Sequence, residues 1–373
     1  MRECDVRCGW GVRGATLALL VLLCTIARPV SGGIKGLGPL LLKEAPGCCT
    51  ERTLKSYEGK KLAIDASMAM YQFLIAVRAA GDDGVAHTLM NAAGEETSHL
   101  QGIFWRTIAM AKAGIKPLYV FDGAPPTLKS GEIAHRNSRR ELGAKMHGEA
   151  EARGDVDEMN KQSKRTTRVT KKHAEDAKTL LRLMGYPTLD APCEAEAQCA
   201  ELCKKGVVHA TATEDMDALC CGSPLVVRHL TFSEARKQPV QEYSLPKVLA
   251  GLNLTMAEFV DFCILCGTDF SDTIKGVGPK SALAGIRKHH TIEAYVAALN
   301  TSRHTIPANF QIDEVRRVLS RPDVVLAEKA GVSWGGVLDI EGVVNFLVTQ
   351  KGFAEARVRG GLEGLVKARR QAP

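Results

Sequence analysis

Seven carboxylates stand in five short clusters of this 373-residue chain: Asp65 in LAIDAS, Asp122 in YVFDG, Glu194 and Glu196 in PCEAEA, Asp215 and Asp217 in TEDMD, and Asp269 in CGTDF. Three clusters end β-branched or aromatic runs, KKLAID, KPLYVFD and GVVHATATED, that read as buried strands. In an open α/β sheet, ligands gather beyond the carboxyl ends of the strands, so acids far apart in sequence converge on one rim. Carboxylates crowd together only where their charge is compensated. Oxygen-only ligation suits hard divalent cations, Mg²⁺ or Mn²⁺. Taken singly, each acid has a plainer reading. An Asp after a strand is more often a turn former or a helix N-cap. Glu194 and Glu196 also sit where a helix begun at Pro192 favours negative charge. Five such clusters together favour a metal site.

The elements that must position these acids follow from the apolar pattern. A helix is predicted over GLGPLLLKEA, a strand over KKLAID, and a helix through MAMYQFLIAVR. GDDGVAHTLMNAAGEETSH, polar and glycine-containing, reads as a mobile loop. LQGIFWRTIAMAKAG is an amphipathic helix, and KPLYVFDG is a strand closed by Pro125 and Pro126. From Lys129 to Arg182 the chain is helical, polar and basic. Lys161, Lys164, Arg168, Lys171 and Lys172 recur at steps that line one helix face, either solvated or touching phosphate. After the EAEA helix come strands VVHATAT and PLVVRHL, then helices around LPKVLAGL and TMAEFVDFCILCG. KGVGPKSALAGI sets Gly276 and Gly278 at a tight turn opening a helix. Backbone N–H groups there bind phosphate without reading bases, or merely join two helices.

GIKGLGPLL from Gly33, IDASMAMYQFLIAVR, VFDGAPPTLKSGE, DAPCEAEAQCA, ATEDMDAL and CGTDFSDTIKGVGPK resemble, in order and spacing, the flap structure-specific endonucleases. These belong to the xeroderma pigmentosum group G/Rad2-type 5′ nuclease superfamily. The resemblance runs from Gly33 almost to Arg370. It implies an α/β, PIN-like 5′-nuclease fold with a central, mostly parallel sheet, a helical cap or gateway, and a helix–two-turn–helix element. The implied organisation is 33–137 and 183–290 for the nuclease regions, 138–182 for the cap, and 291–373 for a C-terminal helical region.

The resemblance also assigns roles. The acids would hold two Mg²⁺ ions, replaceable by Mn²⁺: Asp65, Asp122, Glu194 and Glu196 mainly one, Asp215, Asp217 and Asp269 mainly the other. Since i,i+2 pairs do not share a regular helix face, one of each pair would reach an ion through water. Lys129 and Arg136 match the gateway bases that steer the scissile phosphate, and Tyr71 an aromatic that stacks a base. Tyr71 alone reads equally as core. Arg78 and Arg106 match duplex contacts, and Gly33, Glu194, Gly276, Gly278 and Lys280 further DNA contacts, with K⁺ near the turn carbonyls. The implied substrate is branched DNA with a 5′ flap, cut endonucleolytically or by 5′–3′ exonuclease action, in Okazaki fragment maturation and long-patch base excision repair. A sliding clamp is the implied partner and a monomer the implied state. Alternatives are a mainly exonucleolytic or gap-acting nuclease, or a non-catalytic DNA-structure binder, which would have lost carboxylates. Ala124 and Ser281 stand where relatives often carry basic residues. A QxxLxxFF-type clamp motif and a lysine-rich tail are not found after KARRQAP.

Composition bounds these readings. A formal net charge of +7 is a mild excess, weak by itself as evidence for a nucleic-acid partner. Hydrophobic residues at 45% suffice for a core. Twelve cysteines include adjacent pairs and a CxxC at Cys263 and Cys266, without a second pair at zinc spacing. Buried reduced thiols and a reducing compartment are the expectation. Residues 1–32 differ: Arg2, Arg7 and Arg13 precede an apolar run from Ala15 to Ala27, and Val30 and Gly32 fit a cleavage site before Gly33. The run is short of the roughly 20 residues of a membrane span. It reads as a cleavable signal, an organelle-targeting segment or a wrongly joined exon, whereas the resemblance implies the nucleus or the mitochondrion.

Overall fold

A period of two in the strand sequences decides which side chain faces which helix layer. Leu62 and Ile64 of LAID, with Tyr119 and Phe121 of LYVF, enter one buried cluster, while Ala63, Leu118 and Val120 enter another on the opposite face. Both faces are therefore covered, as parallel strands require. The computed structural model describes residues 33–80, 85–230, 238–307 and 310–371; residues 1–32, which carry the targeting reading, lie outside the described residues.

The strands are β1 (Cys49–Arg52), β2 (Lys61–Asp65), β3 (Arg78–Ala80), β4 (Ala86–Thr88), β5 (Lys116–Phe121), β6 (Thr188–Asp190), β7 (Ala210–Ala212), β8 (Leu225–Arg228) and β9 (Val240–Ser244). Seven form one sheet in the order β1-β9-β8-β7-β2-β5-β6. The run from β8 to β6 is parallel, and β9 and β1 add antiparallel at one edge. From β2 the chain passes to β5 and β6 on one side, then returns to β7 and β8 on the other. The reversal falls between β2 and β7, where a crevice opens beyond the strand ends.

The helices are α1 (Leu37–Glu44), α2 (Ala66–Ala76), α3 (Ser98–Lys112), α4 (Ser130–Arg153), α5 (Val156–Thr166), α6 (Lys171–Leu183), α7 (Ala195–Lys204), α8 (Asp217–Cys220), α9 (Leu245–Leu252), α10 (Met256–Cys266), α11 (Pro279–His289), α12 (Ile292–Ala297), α13 (Ile312–Ser320), α14 (Ile340–Val344) and α15 (Glu355–Gln371). Helices α2, α3, α6 and α15 cover one sheet face and α7 the other. A third cluster, built on Phe259 and Phe262, joins α1 and α9 through α13. Between α10 and α11 the chain makes two turns, marked by the Thr268–Ser271 bridge and by Val277 N donating to Ile274 O at 3.0 Å. The α/β expectation with a mostly parallel sheet thus holds.

Three local expectations do not. The loop reading of GDDGVAHTLMNAAGEETSH gives way to β4, which pairs antiparallel with β3, and to a Met90–Glu96 bridge. The helix read through MAMYQFLIAVR stops at Ala76, so Arg78 is a strand residue. The basic steps from Lys161 to Lys172 do not share one helix face. α5 ends at Thr166, and Thr170 restarts α6 by accepting from His173 N at 3.2 Å and donating its own N–H to His173 Nδ1 at 3.3 Å. Ser/Thr capping of this kind competes with helix continuation.

Candidate functional site

Six of the acids arrive after a strand end or at a helix start, and Asp269 lies in the turn that follows α10. Asp65 ends β2 and caps α2, accepting from Met68 N at 2.9 Å. Asp122 follows β5 and accepts from Ala195 N, the first residue of α7, at 2.8 Å. That contact needs the two loops to touch: Gly123 N donates to Cys193 O at 2.7 Å, and a Cβ at Gly123 would lie 2.1 Å from Ala191 O. Only glycine fits there. Glu194 is the N-cap of α7 and Glu196 lies in its first turn. Asp215 follows β7, and Asp217 opens α8 and donates its backbone N–H to Asp215 Oδ1 at 3.0 Å. Both i,i+2 pairs therefore straddle a helix start, where the helical face rule does not apply.

The seven acids influence one another. Burial, then Asp122 and more weakly Asp215, raises the Asp65 carboxyl to about 7. Burial first and neighbouring acids second push Glu196 and Asp217 well above the usual carboxylate range. Glu194 is raised too, burial outweighing the Lys129 ammonium beside it. Such crowding is what an oxygen-only site for hard cations looks like before its charge is balanced. The donor set therefore fits Mg²⁺ or Mn²⁺. Among the described residues, no group of three or more acidic, histidine or cysteine side chains is spaced to hold a metal ion as it stands.

Two bases reach into the basin. Lys129 bridges Glu194, which it touches, and Asp269 at 3.7 Å, with Phe270 beneath it at 5.8 Å. Burial disfavours its ammonium, but Glu194, Glu196 and Asp269 outweigh this and raise its pKa. Arg136, from the first turns of α4, pairs with Asp269 through Nη2 and with Glu132 at 2.9 Å. Gly33 closes the floor: its N–H points to Asp269 Oδ1 at 3.4 Å, and Ile34 N donates to Asp217 Oδ1 at 2.9 Å. The basin acids Glu194, Glu196, Asp215, Asp217 and Asp269 line a cavity of about 220 Å³ whose lining also includes Arg317, Leu319 and Arg321.

The other candidates are placed as follows. Tyr71 on α2 is half-buried, within electrostatic reach of Arg136, Arg139 and Arg140 of α4. Arg106 is half-buried on α3, near the Tyr119 hydroxyl. Gly276, Gly278 and Lys280 lie outside the basin, at the head of α11. Gly278 and Lys280 line a separate groove with Lys43 and Glu44 of α1. The Gly278 N–H is already given to Ser281 Oγ at 2.9 Å. Arg78 donates to Leu74 O, Ser163 Oγ and Thr167 Oγ1. Residue patterns missed Thr213, whose hydroxyl donates to Asp65 Oδ2 at 3.1 Å and accepts from Asp215 N at 3.1 Å. A threonine between a strand and two acids was its only signal. The Arg317–Arg321 wall, far along the chain, gave none.

Residues 32–142 match the family model described as the XPG N-terminal domain, and residues 185–269 the XPG I-region. Flap endonuclease 1 of Nematostella vectensis is 50% identical over 337 residues, covering 90% of this chain and 88% of that protein. The flap endonuclease-1 structure from Methanococcus jannaschii superposes with a TM-score of 0.66 at 34% identity, covering 86% of this chain and 96% of that one. The catalytic core of Rad2 in complex with DNA substrate gives 0.68 at 26% identity, with 89% and 100% covered.

Proposed function

The chain belongs to the flap endonuclease 1 family, and on that premise we propose that its acid basin hydrolyses phosphodiesters in branched DNA at the base of a 5′ flap, with roles in replication and repair. One observation carries the reading: seven carboxylates from five chain segments meet beneath Lys129 and Arg136. A binding module without chemistry has no use for so much crowded negative charge.

The family's nucleases are Mg²⁺-dependent. Seven carboxylates exceed what one six-coordinate ion takes, which supports two, divided as Asp65, Asp122, Glu194 and Glu196 against Asp215, Asp217 and Asp269. Such ions supply Lewis acidity, lowering the pKa of the attacking water and steadying the leaving oxygen. The protein's own part is electrostatic and geometric. Lys129 and Arg136 place positive charge where the scissile phosphate must lie. Thr213 fixes Asp65 and Asp215 in relation to each other. Tyr71 offers a ring for stacking beside the arginines of α4. K⁺ at the turn before α11, a monomeric state and recruitment by a sliding clamp are carried over from the resemblance alone. Residues 1–32 are read as a cleavable signal or organelle-targeting segment, whereas the family resemblance favours the nucleus or the mitochondrion; mass spectrometry of the mature N-terminus in fractionated cells tests this.

The test of the function is Asp215→Ala. Cleavage of a 5′-flap duplex with Mg²⁺ should nearly vanish while flap-DNA binding persists, because the bases rather than the acids carry affinity. A variant cutting near the wild-type rate refutes the metal-site assignment.

A further inference from the structure

The bases around the acid basin differ in what they already hold. Lys129 bridges Glu194 and Asp269, and Arg136 pairs with Asp269 and Glu132. Arg317, in the last turn of α13, pairs with Glu314 at 2.7 Å. Arg321 lines the same cavity, is exposed, and has no carboxylate partner among the described residues. Its place is fixed from both sides. Arg321 is the C-cap of α13, its N–H donating to Arg317 O at 2.8 Å, and Leu319 anchors that helix in the cluster of Phe259 and Phe262. Beyond Pro322, Val324 packs on Ala197, Ala200 and Cys221. The buried Gln198 then holds Val325 by both backbone groups: Nε2 donates to Val325 O at 2.9 Å, and Val325 N donates to Oε1 at 2.7 Å. Gln198 belongs to α7, which Glu194 caps and whose first turn carries Glu196. Residues 321–325 are thus strapped to the helix that presents two of the acids.

We propose that Arg321 binds a backbone phosphate of the strand being cut, and that Gln198 is the positioning residue that keeps it at the cavity. A guanidinium without a carboxylate partner is suited to a phosphate, whose oxygens it meets bidentately. A cavity of about 220 Å³ admits part of one strand, not a duplex whose grooves alone are about 6 and 12 Å wide. Lys129 and Arg136 stand where the scissile phosphate must lie. Arg321 therefore takes the neighbouring phosphate on the single-stranded flap side, because the duplex side stays outside the cavity. The inference rests on the nuclease reading above.

Wild-type protein, Arg321→Gln and Gln198→Ala are compared on three 5′-flap duplexes. One is unmodified; the others carry a neutral methylphosphonate next to the scissile linkage, on the flap side or on the duplex side. Kd is read without divalent ions over a range of salt, and the single-turnover rate at saturating enzyme with Mg²⁺. On the unmodified flap, Arg321→Gln should bind about tenfold more weakly, the worth of one charge-assisted hydrogen bond. Its salt dependence should flatten by about 0.7, the contribution of one single-strand phosphate. Its rate should fall less than its affinity, since a neighbouring phosphate is held equally before and during the chemical step. The flap-side methylphosphonate should weaken wild-type binding by the same factor and leave Arg321→Gln unaffected, a coupling that the double cycle reads directly. Gln198→Ala, which alters no charge, should lose most of that coupling. The proposal is overturned if Arg321→Gln keeps the wild-type Kd and slope, or stays as sensitive as wild type to the flap-side linkage. Coupling to the duplex-side linkage instead overturns the flap-side assignment, and full coupling in Gln198→Ala overturns its positioning role. A wild-type protein that binds the flap without cutting it refutes the nuclease reading instead, and the Kd cycle still judges Arg321.

Discussion

A methyl group on Gly33 would come 1.9 Å from Asp215 Oδ1 and 2.7 Å from Asp217 Oδ1, on a backbone with φ of +79°. Gly33→Ala should therefore displace one of two acids as well as strain the chain, at a cost of about 1–3 kcal/mol in stability. Thermal unfolding and single-turnover cleavage, measured together, check this; wild-type values in both would show that the basin has slack. At this scale the sequence was uneven as a guide. Asp65, Asp122 and Asp215 were legible because each ends an apolar run whose direction is forced by burial. Arg78 was not, since its partners Ser163 and Thr167 lie 85 and 89 positions away. Nothing local to Arg78 marks such distant partners.

Helix α11 shows what a single substitution does to an element. Ser281 Oγ accepts the Gly278 N–H at 2.9 Å and donates to Gly278 O at 2.9 Å, so the turn caps itself rather than facing a ligand. Ser281→Lys frees that N–H and adds a charge. Duplex binding should tighten, and the salt dependence of Kd should steepen by about 0.9, the contribution of one phosphate contact. Titrations at low and high salt would show it; an unchanged slope would mean that this turn does not meet DNA. Long apolar elements such as β5 and α3 were readable from periodicity. Short ones were not: β1 is CTER, four residues without an apolar repeat, and it exists because β9 offers an edge to pair with. The β3–β4 hairpin hid within small and polar residues, and the α5–α6 break within a basic run whose spacing alone suggested continuity.

For the molecule as a whole, buried acids with raised pKa values carry a stability cost that depends on pH. A carboxyl whose folded pKa exceeds its unfolded value keeps its proton in the native state, so stability falls as pH rises from the ordinary carboxylate range through the folded pKa, about 7 for Asp65. Without divalent cations the protein should melt lower at pH 8 than at pH 5.5. Mg²⁺ should raise the melting temperature more at pH 8, where more of the basin is charged. Equal shifts at both pH values would separate Mg²⁺ binding from these acids. The N-terminal segment has a related test. Gly33 N already points at Asp269, so a chain beginning at Gly33 would place an ammonium there in place of a tether to the apolar run at 15–27. Removal of residues 1–32 should give the more active nuclease on one 5′-flap substrate; equal rates would show that the extension folds harmlessly aside. The same clasp has a consequence for biosynthesis. Gly33 meets Asp269 across 236 positions and Ile34 meets Asp217 across 183. A ribosome must release the chain beyond Asp269 before the loop can close, and its closure entropy is recovered only once the intervening sheet has packed. A nascent chain owns most of the acids early but none of their geometry, so the power to cut DNA arrives last, with the finished molecule.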